Sequence, residues 1–120
     1  MNKEIPEHKI GLIGELLVKI KLNDYGVNTG GVDKDTGTDV VLFKEKQILT
    51  AQVKTGKDYR RYDATHGVDL HFQVNLNYIG EDLRLDDVEV RWKWADDPDG
   101  SYRNLGPESI AEIFGDQNLA

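Results

Sequence analysis

The sequence predicts an α/β domain: an N-terminal helix, then a mostly antiparallel mixed sheet, then a short C-terminal helix. Three observations carry this. Apolar residues recur at helical spacing over 6–24. Several later stretches alternate apolar and polar residues or run apolar at strand length. The segment "PESIAEIF" (107–114) is helix-forming and ends at Gly115. With 120 residues and no internal repeat, low-complexity tract or linker, one domain over 1–120 is expected.

The elements follow in order. In "PEHKIGLIGELLVKIKLND", Pro6 suits a first helical turn, and Glu7 after it complements the helix dipole. Ile10, Ile13, Leu17 and Ile20 form the expected apolar stripe, widened by Leu12 and Leu16, and Gly26 is a natural stop. The Gly-rich passage 26–39 holds a short strand and a turn. "VVLF" (40–43) and "ILTAQVK" (48–54) read as a hairpin joined across Lys44–Gln47. The stretches 68–79 and 87–96 alternate as half-buried strands do, the latter through Val88, Val90, Trp92 and Trp94, which are read as core. Asp97-Pro98-Asp99-Gly100 is a turn signal.

Composition narrows the chemistry. The chain has no cysteine, which excludes disulfides, thiolate catalysis and Cys-based zinc sites. No apolar run approaches the roughly 18 residues of a membrane span, so no membrane association is expected. The N-terminus lacks a secretory pattern, and a cytoplasmic location is the expectation. A formal net charge of −7 opposes binding to phosphate backbones, but the charge is uneven. "KTGKDYRR" (54–61) holds Lys54, Lys57, Arg60 and Arg61 against Asp58, whereas 81–99 is rich in acid.

The residues with chemical potential lie near the hairpin. Side chains two apart on a strand share a face, so Gln52 and Lys54 point one way while Ala51 and Val53 point the other. An antiparallel hairpin turning near Lys44–Gln47 brings Asp39 close to them, so a carboxylate, an amide oxygen and an ammonium converge. The polar end of a solvated strand accounts for the same pattern. Glu15 lies off the apolar stripe, one turn after Gly11 and beside Gly14, where the helix surface is bare and a backbone or ligand can approach; a solvated glutamate accounts for it equally simply.

Gly11-x-x-Gly14-Glu15 on a helix, Gly37-Thr38-Asp39 opening a strand and Gln52-Val53-Lys54 on the next resemble the PD-(D/E)XK nuclease superfamily. More narrowly, they resemble its Gln-x-Lys branch of Mrr-like restriction endonucleases, over roughly residues 8–58. The resemblance implies a restriction-endonuclease-like core and a Mg²⁺-dependent endonuclease, with Mn²⁺ as substitute, that hydrolyses phosphodiester bonds of DNA in a prokaryotic defence or repair context. It implies Glu15, Asp39, Gln52 and Lys54 as catalytic residues. Asp39 would be the central metal ligand, joined by the Gln52 side-chain oxygen and the Val53 backbone carbonyl; Glu15 would act through water or hold a second ion. Lys54 would orient the attacking water and stabilise charge on the phosphate. Lys57, Tyr59, Arg60 and Arg61 would grip phosphates and stack on bases, although a solvated basic loop that offsets nearby acids accounts for the same stretch. Duplex cleavage needs two sites, so a homodimer is expected, and the small size suggests either structure-directed cleavage or a protein partner that supplies specificity.

The chain departs from the superfamily at Thr38, where most members carry Pro, and at Gln52, where most carry Asp or Glu. The neutral amide removes one negative charge and weakens metal affinity. The superfamily also places helical structure somewhere in 58–82, whereas the alternation here predicts a strand. Two other functions fit the sequence: a catalytically degenerate nuclease-fold binding module, and an acidic DNA mimic or inhibitor built on 81–99. Other motifs are set aside. "DKDTGTD" (33–39) has Thr38 where a calcium loop needs Gly. His66 and His71 have no metal-binding frame, and Ser101 and Ser109 lie in no nucleophile elbow.

Overall fold

The computed structural model describes residues 7–31, 38–56, 67–79, 82–97 and 100–115. Helix α1 (Glu7–Asp24) leads into strands β1 (Asn28–Gly30), β2 (Val40–Lys44), β3 (Gln47–Gly56), β4 (Leu70–Ile79), β5 (Asp82–Trp94) and β6 (Arg103–Asn104), and helix α2 (Pro107–Phe114) follows. The strands form one six-stranded sheet in sequence order. Every neighbouring pair is antiparallel except β3 and β4, which are parallel. This is the α/β architecture the sequence predicts: an N-terminal helix, a mixed sheet and a short C-terminal helix.

The two faces of the sheet differ in kind. Val40, Leu42, Ala51, Val53, Leu70, Phe72, Val74, Val90 and Trp92 share one face by register, and all are buried. Both helices pack there, α1 through Ile10, Val18 and Leu22 and α2 through Ile110, Ile113 and Phe114, to give one apolar core. The opposite face carries Gln52 and Lys54 on β3, His71, Gln73 and Asn75 on β4, and Glu89, Arg91 and Lys93 on β5. Strict alternation along β3 and β4 separates the two sets, as strand geometry requires.

Local chemistry sets the ends of the elements. α1 closes with the Val27 amide donating to the Leu22 carbonyl (2.8 Å) and the Gly26 amide to the Asn23 carbonyl (3.1 Å), with Gly26 at φ 87. This is a Schellman stop: the left-handed residue is Gly26, and the flanking Val27 and Leu22 are both fully buried. At α2, Pro107 takes the first helical position. The Ser109 hydroxyl accepts from the Gly106 amide (3.1 Å) and donates to the Asn104 carbonyl (3.2 Å). α2 is tied to the sheet by the Arg103–Glu112 ion pair and by Gln47 Nε2 donating to the Phe114 carbonyl (3.0 Å). Arg103 also lies over the Trp92 ring, 5.2 Å from its centroid.

Two expectations are corrected. The core-facing stripe of α1 runs Ile10, Gly14, Val18, Leu22, with Ile13 and Leu17 partly buried. Leu12 and Leu16 (each 56% exposed) and Ile20 (62%) face outward. Apolar residues surround this helix, so periodicity alone does not pick the buried face. Strand β5 begins at Asp82, five residues before the 87 expected from alternation, and its register against β4 shifts between Asn75 and Asn77. Aspartates are depleted in strands, and the irregular pairing hides the period. Trp92 is in the core and Trp94 packs against it edge to face, as expected. Among the described residues, no helix is long and apolar enough to cross a membrane.

Two glycines of α1 and its stop make a paired stability test. Nothing lies within 4 Å of a methyl placed at Gly11, so Gly11→Ala should stabilise the protein by about 0.8 kcal/mol through helix propensity. Gly26→Ala forces an L-residue into the left-handed region and should cost about 1–2 kcal/mol. Urea denaturation of both variants measures the contrast.

Candidate functional site

The hairpin β2–β3 runs in register from Lys44↔Gln47 to Val40↔Ala51. One residue further, the pairing changes. The Asp39 amide donates to the carbonyl of Ala51 (2.9 Å), which already stands opposite Val40. Asp39 thereby slips out of step with the ladder, and its carboxylate takes a backbone role: Oδ2 accepts from the Val53 amide at 2.8 Å. Asp39 is half-buried and sits against the Gln52-Val53-Lys54 segment, as the sequence predicts.

In an extended strand, a residue's amide and carbonyl point to the same side, since an antiparallel pair exchanges both. The Val53 carbonyl therefore points to the Asp39 side of β3. The Gln52 and Lys54 side chains project onto the polar face, in line with His71 and Gln73 of β4. Both β4 side chains are buried, each 5% exposed, so the polar face has a dry centre at β4 and half-buried Gln52 and Lys54 at its β3 edge. In the sequence His71 has no metal-binding frame and Gln73 carries no signal of its own. Their place beside Gln52 and Lys54 depends on the parallel β3–β4 register, which no local pattern announces.

Glu15 arrives differently. A methyl at Gly14 would overlap the Thr55 side chain, so α1 crosses β3 in close contact at Gly14, one residue before Glu15 and opposite the residue after Lys54. Thr55 lies on the helix face and Gln52 and Lys54 on the other. Glu15 is half-buried on the flank of α1. The four expected residues thus come from three places: Glu15 from the helix layer, Asp39 from the end of the β2 ladder, and Gln52 with Lys54 from the polar face. Asp39 is bonded to the backbone of the segment that carries Gln52 and Lys54, whereas Glu15 belongs to the helix that crosses the other face of β3.

The expected donors are one carboxylate, one carboxamide, one backbone carbonyl and one ammonium, with a second carboxylate on α1. Hard cations such as Mg²⁺ take such oxygen donors and complete their shell with water, so the donor types fit a magnesium site. Among the described residues, no three His, Cys, Asp or Glu side chains gather to hold a metal. Lys57, Tyr59, Arg60 and Arg61, expected to hold nucleic acid, lie outside the described residues, as do 58–66, 80 and 81 of the interval 58–82; the described strand 70–79 is β4 and not helix. Searches of protein families, curated proteins and solved structures find no match to this chain.

The helix–strand crossing gives a prediction. Gly14→Ala should destabilise the fold by about 2 kcal/mol, the usual range for overpacking. Thr55→Ala should restore only part of this, because the added methyl would still stand 2.7 Å from the residue-55 Cβ. Thermal melts of the single and double variants measure both effects.

Proposed function

We propose that this chain is a restriction-endonuclease-like, Mg²⁺-dependent DNA endonuclease with its centre at Asp39, Gln52, the Val53 carbonyl and Lys54, and with Glu15 as the outer carboxylate. The observation that carries the reading is the placement of the Asp39 carboxylate. Its Oδ2 is fixed at the Val53 amide, in the middle of the Gln52-Val53-Lys54 segment. Oδ1 is not part of that bond.

Mg²⁺ at this place would supply a water of lowered pKa and neutralise charge on a scissile phosphate. The chain's own groups account for the rest. Asp39 provides a preset anionic oxygen, its rotamer locked by the Val53 amide. Gln52 provides a neutral oxygen. Lys54, two residues on and on the same face, brings an ammonium to the phosphate side, where it offsets the charge that grows in the transition state. Gln52 also favours a second reading. With one carboxylate fewer, the centre binds metal more weakly, and a chain that holds DNA without cutting it fits the same geometry.

The decisive experiment separates the structural bond of Asp39 from its charge. Asp39→Asn keeps an acceptor for the Val53 amide and removes the negative charge; Asp39→Ala removes both. Calorimetric titration with Mn²⁺ should show binding by the wild type and a loss of at least about tenfold in both variants, with only Asp39→Ala losing about 1–2 kcal/mol of stability. Wild-type-like metal binding by Asp39→Asn, or no binding by the wild type at millimolar metal, sinks the reading. Once binding is shown, Lys54→Ala should lower DNA cleavage by about 10²–10³ while leaving Mn²⁺ affinity within a few-fold. Metal and DNA binding without cleavage by the wild type would select the degenerate module.

A further inference from the structure

The outward face of α1 is apolar where a solvated helix is normally polar. Leu12, Leu16 and Ile20 are spaced four apart, so they form one ridge along the helix, and each is more than half exposed. The ridge lies opposite the Ile10, Gly14, Val18, Leu22 stripe that faces the core. Scattered exposed leucines are ordinary; three in line on one helix make a contiguous patch of the kind that marks an interaction site.

The sequence around the ridge is symmetric in a way that singles out one occupant. Taking Leu16 as centre, Leu12 and Ile20 lie four residues to either side. Lys9 and Asn23 lie seven to either side, with Asp24 adjoining Asn23. All six are exposed. Two such helices laid antiparallel place Leu16 against Leu16, each Leu12 against Ile20, and each Lys9 against the Asn23-Asp24 turn of the other copy. An ammonium there faces both a carboxylate and the negative end of the partner helix dipole, and both terms are favourable. A parallel arrangement would instead stack Lys9 on Lys9 and Asp24 on Asp24.

We infer that α1 is a self-association surface: two copies of this chain pair their α1 helices antiparallel about a two-fold axis at Leu16. The contact is isologous, so the same ridge serves both copies and closes the assembly at two. An 18-residue helix is about 27 Å long. One helix face is at the small end of stable interfaces, so the dimer dissociates in the micromolar range, on the order of 1–10 µM. The inference rests on the ridge and its flanking charges and does not depend on the nuclease reading.

Sedimentation equilibrium across about 1–200 µM tests it on the full chain. The wild type should move from monomer to a species of twice the 13.6 kDa chain mass. Leu16→Glu places two buried carboxylates at the axis and should weaken the dimer by at least about 100-fold without changing the circular dichroism, because Leu16 is exposed and outside the core cluster. The charge swap reads the orientation. Lys9→Glu alone should weaken association about fivefold, and Lys9→Glu with Asp24→Lys should restore it. A wild type that stays monomeric to 200 µM, or a Leu16→Glu chain that dimerises unchanged, overturns the inference. Failure of the double swap to restore affinity overturns the antiparallel arrangement.

Discussion

The close approach of α1 to β3 at Gly14 is the constraint on which the rest of the molecule depends. Almost every turn of α1 carries aliphatic side chains on more than one side, so hydrophobicity offers several faces to the sheet. Only the face with no side chain at residue 14 can settle over Thr55. That choice buries Val18 and Leu22, turns Leu12, Leu16 and Ile20 to the outside, and sets Glu15 on the flank. A single missing methyl thus decides which residues are core and which are surface.

Two aspartates fix the edges of β3, and comparing them clarifies what is special about Asp39. On the β4 side, Asp69 Oδ2 accepts from the Thr50 amide (2.9 Å) and the Thr50 hydroxyl (3.2 Å), and the Asp69 amide returns a bond to the Thr50 carbonyl (3.0 Å). The Asp69 carbonyl meanwhile accepts from the Ala95 amide of the segment after β5. This is a register clamp that holds the start of β4 between its neighbours. Asp39 makes the equivalent bond on the β2 side, but there the ladder slips instead of tightening. A register clamp explains Asp69 in full. It explains one oxygen of Asp39, and the polar residues on either side of Val53 are what distinguish the two positions.

The sequence shows the elements more plainly than their relations. The Gly26 stop, the β2–β3 hairpin, the β4 alternation and the Pro107–Phe114 helix are local patterns, and each appears where its chemistry puts it. Asp39 beside Gln52-Val53-Lys54 was legible as well, because hairpin register follows from a short turn. Which face of α1 is buried was not legible, since it depends on a contact between residues 14 and 55. Nor was the company of His71 and Gln73, which the parallel β3–β4 register sets across a long connection. The early start of β5 at Asp82 was hidden by acidic residues and by a register shift.

That long connection also divides the chain. The elements α1, β1, β2 and β3 are joined to one another by short links, as are β4, β5, β6 and α2. The two halves meet along the β3–β4 seam, in the shared apolar core and through the Gln47–Phe114 bond. Hairpins close quickly, whereas a parallel seam must first meet the entropy of a larger loop. The order of assembly therefore favours two local units that dock late. Asp39, Gln52, Lys54 and Glu15 all belong to the first unit. The seam then adds His71 and Gln73 as a dry flank, turning an open ledge on a hairpin into a walled one.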